Sequence, residues 1–198
     1  MKTILITILL LFSFSYSYSQ ENLVQWLEGK ISSSHGIEGE FTQKTFQGNS
    51  KTPEVYSGNL IAYKPFNSKI NYTKPFEQTL YITKERVILY TPSEKQAIIS
   101  KRDTEIFIED VMAIFLNTKP IRAVFDIQVE GSKLMLKPKS SSDMKNIEIT
   151  VKNDTIQNIT MIDIENNKVE IMFKTFRFLT KKENINFEIP TGTKIINY

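Results

Sequence analysis

With 198 residues, a formal net charge of +3, one histidine and no cysteine, the chain lacks the strong basic excess of a nucleic-acid binder. It can build neither a Cys/His nucleophilic site nor a usual zinc site, and no disulfide can supplement its core. Residues 1–19 start with Lys2, run through Ile4-Leu5-Ile6-Thr7-Ile8-Leu9-Leu10-Leu11-Phe12, and turn small and polar up to Ser17 and Ser19. That order is expected of a secretory signal cut before Gln20. The apolar run is shorter than the about 20 residues that a membrane span needs. With no cysteine after the cut no lipid anchor is expected, and residues 20–198 are expected to form one exported domain.

Glu21 to Ser34 places Leu23, Trp26, Leu27 and Ile31 at intervals of three and four, which predicts a helix with one buried face. From Glu38 the period changes to two, and turn residues separate the apolar runs. Strands are expected near 38–47, 54–64, 67–74, 77–83, 86–91 and 95–100, joined by short connections and therefore antiparallel. Thr104 to Asn117 carries Ile106, Phe107, Val111, Met112, Ile114, Phe115 and Leu116, a helix apolar over most of its circumference that must be covered on several sides. Further strands are expected near 122–129, 132–138, 145–152, 155–164, 167–177 and 185–189. The alternation is cleanest at Ala123-Phe125-Ile127-Val129 and at Ile147-Ile149-Val151. The fold class is mainly β with two or three helices. One curved antiparallel sheet should form an unclosed, half-open barrel lidded by helices, with an apolar hollow that two helices are too few to fill.

No chemistry stands out. His35 lies in a Ser-Ser-Ser-His-Gly turn and reads as solvated, Glu109 and Asp110 are adjacent and cannot act as a pair on a helix, and no Gly-x-Ser-x-Gly or phosphate loop occurs. No catalytic residue, metal or cofactor is expected. Three short glycosylation patterns, at Asn71, Asn153 and Asn158, are read as chance. Apolar side chains facing one way are the positive signal. Leu60 and Ala62 share a face with Lys64, opposite Ile61 and Tyr63, while Ile70 and Tyr72, then Leu80 and Ile82, alternate with polar neighbours. Together they predict a lined hydrophobic cavity.

Three stretches resemble the periplasmic outer-membrane lipoprotein carrier family, LolA. Gly39-Glu40-Phe41-Thr42-Gln43-Lys44 is similar to the family's Phe-x-Gln first strand. Tyr56 to Pro65, leading through Asn71-Tyr72 and Lys74-Pro75 to Val87-Ile88-Leu89-Tyr90, resembles its Gly-x-Leu, basic-Pro, x-Pro and Leu-Trp-x-Tyr series. Leu136-Lys137-Pro138 and Phe187-Glu188-Ile189-Pro190-Thr191-Gly192 resemble its closing pair.

The resemblance implies a periplasmic monomer whose cavity holds the acyl chains of lipoproteins. The cavity lining would include Leu60, Ala62, Ile70, Tyr72, Leu80, Ile82, Phe107, Val111 and Phe115. It further implies cargo taken from an ATP-driven inner-membrane complex and delivered to an outer-membrane acceptor, with no nucleic-acid partner. Lys64 stands where the family has an arginine that latches the lid helices. Ser68 and Ile70 stand where it often has an aromatic, with Phe66 and Phe76 nearby. A glycolipid carrier, a sensor of mislocalised lipoproteins and a module that binds proteins through its sheet edge remain as alternatives.

Overall fold

The computed structural model describes residues 20–48, 50–101, 114–116, 120–140 and 143–198. Helix α1, Gln20–Ser33, buries the stripe Leu23, Val24, Leu27 and Ile31 and leaves Asn22, Gln25 and Lys30 outside. Its end is set by serine chemistry. The hydroxyls of Ser33 and Ser34 bond back to the carbonyls of Gly29 at 2.7 Å and Ile31 at 3.1 Å, taking acceptors that a helix terminus leaves open.

Strands β1 (Gly36–Phe46), β2 (Glu54–Tyr63), β3 (Asn67–Lys74), β4 (Gln78–Ile82), β5 (Arg86–Thr91) and β6 (Gln96–Lys101) follow as a meander. After the short helix α2 (Ile121–Val124) come β7 (Phe125–Glu130), β8 (Lys133–Pro138), β9 (Met144–Lys152), β10 (Thr155–Asp163), β11 (Lys168–Leu179) and β12 (Lys194–Asn197). All twelve belong to one sheet in the order β12-β6-β5-β4-β3-β2-β1-β11-β10-β9-β8-β7. The two meanders are joined where β1 pairs with β11 over its whole length. Residues from β5 and β7, near opposite ends of that order, meet in a single buried cluster with α1, so the sheet is curved, unclosed and filled from its concave side.

Three expectations change. Ala123 is helical rather than part of a strand: its N–H closes a turn onto the Pro120 carbonyl at 2.9 Å, and the alternation begins at Phe125. Segment 185–189 is extended but not a strand of the sheet. Its alternating Ile185, Phe187 and Ile189 lie on the convex face with Tyr63, Tyr81, Ile88 and Ala97. Tyr81 donates its hydroxyl to the Ile185 carbonyl at 2.9 Å, and the Phe187 ring lies between Tyr81 and Tyr90. Alternation reports which side chains are buried and is silent on which backbone pairs. The strap then returns as β12, parallel to β6, in a stretch where no strand was expected.

Candidate functional site

The concave face of β1–β5 is a grid fixed by register. One row runs Gly39, Leu60, Ile70, Leu80 and Leu89, and a second runs Ile37, Ala62, Ser68, Ile82 and Val87. A side-chain period of two puts each row on the same face. The structure thus brings together Leu60, Ala62, Ile70, Leu80 and Ile82, all buried, with Tyr72 one row further along and half-buried. Ala62 and Ile70 keep 0% of their surface and belong to one buried cluster with the α1 stripe, so these rows are covered. Gly58 shows why the β2 motif needs glycine: a Cβ there would stand 2.2 Å from the Asn71 carbonyl oxygen on β3.

Lys64 lies in the turn after β2 and its ammonium donates to the carbonyl of Ile31, in the last turn of α1. A cation is favourable at that pole of a helix, and the contact ties the β2–β3 corner to α1. Burial lowers the Lys64 pKa. Phe66 packs against the core, whereas Phe76 is exposed.

Further along the strands the grid turns polar. The row of Phe41 continues through Gly58, Tyr72 and Gln78, and Gln78 donates to Thr91 at 3.2 Å. Phe41, Tyr72 and Tyr56 stack edge to face in a chain, with 5.9 Å between successive rings. Burial, and less so Tyr56, pushes the Tyr72 hydroxyl up to about 12. Tyr56 donates to Glu54 at 2.7 Å, and that bond, before burial, raises its own pKa. Gln43, opposite Tyr56 on the next row, is 9% exposed; its Nε2 donates to Thr45 at 3.1 Å, and its Oε1 is buried with no hydrogen-bond partner.

Residues 114–116 are helical and buried. Phe115, fully buried, packs on Phe176 at 5.6 Å and on Phe178 at 6.2 Å, and Trp26 closes on Phe178. Phe107 and Val111 lie outside the described residues. Sequence reasoning missed this aromatic group and the burial of Gln43. The alternation of Phe176 and Phe178 was a usable signal for the first, and nothing local marks the second. Beyond Met172, β11 parts from β10, and a groove of about 630 Å³ opens there, lined by Ile156, Phe173, Phe176 and a charged rim. Among the described residues, no group of three or more His, Cys, Asp or Glu could hold a metal.

One curled, unclosed sheet wrapped on helices, with a continuous apolar concave face that turns polar at one end, defines the class: a half-barrel protein. The family model described as outer membrane lipoprotein carrier protein LolA matches residues 32–189, and the chain belongs to that family. An outer-membrane lipoprotein carrier protein of Wolinella succinogenes is 26% identical over 165 residues, covering 82% of this chain and 86% of that one. The protein of the same name from Pseudomonas entomophila is 21% identical over 185 residues, covering 90% and 89%. The crystal structure of an uncharacterized conserved protein from Thermus thermophilus shares the fold, with a TM-score of 0.52, 12% identity and coverage of 90% of this chain and 98% of that one.

Proposed function

We propose that this protein binds the acyl chains of lipoproteins on the concave face of β1–β5 and carries them through the periplasm from the inner to the outer membrane. The observation that carries this reading is the pair of register-aligned apolar rows through Leu60, Ile70 and Leu80 and through Ala62 and Ile82. Each methylene left in water costs about 0.8 kcal/mol, so a carrier must hide most of its cargo's chains. These rows are buried in one cluster with the α1 stripe and Phe115. Cargo therefore has to displace this packing, and the segment 104–117, which carries Phe107, Val111 and Phe115, is in this reading the lid that moves off to admit the chains. Filling the face with the protein's own side chains when empty keeps apolar surface out of water and keeps binding weak enough for onward transfer. Lys64, bonded to the end of α1, favours the closed arrangement. An ATP-driven inner-membrane complex supplies cargo in this reading, and an outer-membrane acceptor takes it.

A glutamate at Leu60 or Ile70, a natural first test from sequence, is a poor one here. Both residues are packed, and an unpaired carboxylate at either would destabilise the fold itself. The better test is native mass spectrometry of the purified protein with a diacylated peptide and with the same peptide lacking acyl chains. A one-to-one complex with the first alone supports the reading; equal binding of both, or of neither, sinks it.

A further inference from the structure

Among the described residues, Gln43 is the polar residue of the concave face whose hydrogen bonding is incomplete. Its position on β1 puts it in register with Tyr56 on one side and Ile171 on the other, where the polar rim meets the apolar floor. One half of its amide is committed, since Nε2 donates to Thr45 at 3.1 Å. The other half, Oε1, is shut away from water with no donor. A buried carbonyl without a partner is costly, and native proteins rarely keep one without a use.

We infer that Gln43 Oε1 is the acceptor for an amide N–H at the head of the bound acyl chains, and that it selects acyl groups joined through an amide over acyl groups whose head has no donor. The inference rests on the acyl-binding reading given above and adds to it the chemistry of the ligand's head. The geometry favours this class of ligand on two counts. Chains lying along the strand direction, from the rows of Leu60 and Ala62 past the Phe41 row, end at the Gln43 level, where the face turns polar. An acceptor there is unfavourable to carboxylate or phosphate heads, which bring only further acceptors, and the Glu54 carboxylate bonded to the neighbouring Tyr56 adds negative charge on the same side. A neutral N–H satisfies Oε1 at no such cost. Every acyl chain linked to a peptide nitrogen carries that group, or lies next to one.

The test uses the intact protein, with Trp26, its one tryptophan, as reporter; Trp26 packs against the same core. The probes are a brominated N-methyl fatty amide and its N,N-dimethyl analogue, which differ in the N–H, and bromine quenches tryptophan on contact. The wild type is expected to bind the N-methyl amide about tenfold more tightly. Gln43→Leu and the unbranched Gln43→Met, with folding checked by thermal melts, should bind the two amides alike. Equal binding of the two amides by the wild type, or a preference that survives in a folded Gln43 variant, overturns the inference and leaves the carrier reading standing. Quenching by neither amide in the wild type overturns both.

Discussion

The two halves of the concave face are built from the same alternation and end differently. Across β11–β7 the row that starts at Gln43 continues through Ile171, Ile159, Ile149, Leu134 and Val129, every one of them buried. The row beyond it, Val169, Met161, Ile147, Leu136 and Ile127, is apolar as well. Across β2–β5 the Gln43 row continues to Tyr56, and the Phe41 row beside it holds Gly58, Tyr72 and Gln78, with Thr91 bonded to Gln78. One half is therefore apolar across both of these rows, as a permanent core should be. The other is graded from aliphatic to hydroxyl and amide, which matches a ligand with an apolar tail and a polar head. Gln43 stands on the border between them.

Breaking the core half should cost stability and spare binding. Leu134→Ala, at a site with no exposed surface, is expected to lose about 2–5 kcal/mol in urea denaturation. Affinity per folded molecule for a diacylated peptide should be unchanged; a drop in affinity would show that both halves bind.

Tyr72 in the graded half offers a pH signature. Its folded pKa of about 12 lies above the ordinary 10.0, so above pH 10 the unfolded chain ionises this group while the folded one stays neutral. The stability is whole below pH 10 and is lost as pH rises towards 12, by a few kcal/mol at about 1.4 kcal/mol per pKa unit. Denaturation of the wild type and Tyr72→Phe at pH 9 and pH 11 should show the larger alkaline loss in the wild type. Equal losses would mean that the hydroxyl is not held neutral.

Leu89→Ala, at a half-buried position beside Leu80, sharpens the comparison from the other side. It should weaken diacylated-peptide binding by about tenfold while costing only about 1 kcal/mol of stability. Equal retention of affinity would move the ligand off this row.

The smallest effect belongs to Lys64→Met. Its ammonium gains from the α1 carboxyl end, about 0.3–1 kcal/mol, but burial lowers its pKa, so the two terms oppose each other. Between the depressed folded pKa and 10.5 the unfolded chain binds more protons, and the wild type should gain on Lys64→Met as pH rises there. A latch role requires faster cargo exchange in Lys64→Met; an unchanged rate removes it.

Local patterning accounted for much of this molecule. The stripe of α1, nearly all the strands and the inward set Leu60, Ala62, Ile70, Tyr72, Leu80 and Ile82 follow from periods of three to four and of two. Long-range choices were not legible. Nothing in Gly36–Phe46 says that it pairs with Lys168–Leu179, because pairing between distant segments is decided by the whole sheet. The strap through Ile185 and Phe187 reads as a strand because burial on a convex face leaves the same alternation as pairing. Lys64 is visible as a basic residue before proline, but its partner, the Ile31 carbonyl, is a backbone atom with no sequence mark. Gln43 looks like any surface amide until the register places Ile171 beside it.

The central claim is that acyl chains lie on the graded half of the concave face. A diacylated peptide with a photoreactive diazirine at the chain ends, crosslinked to the protein and mapped by mass spectrometry, tests it most directly. The account predicts crosslinks within β2–β5, around Leu60, Ile70, Leu80 and Leu89. Crosslinks confined to β7–β11, or to the convex strap at Ile185 and Phe187, would contradict it.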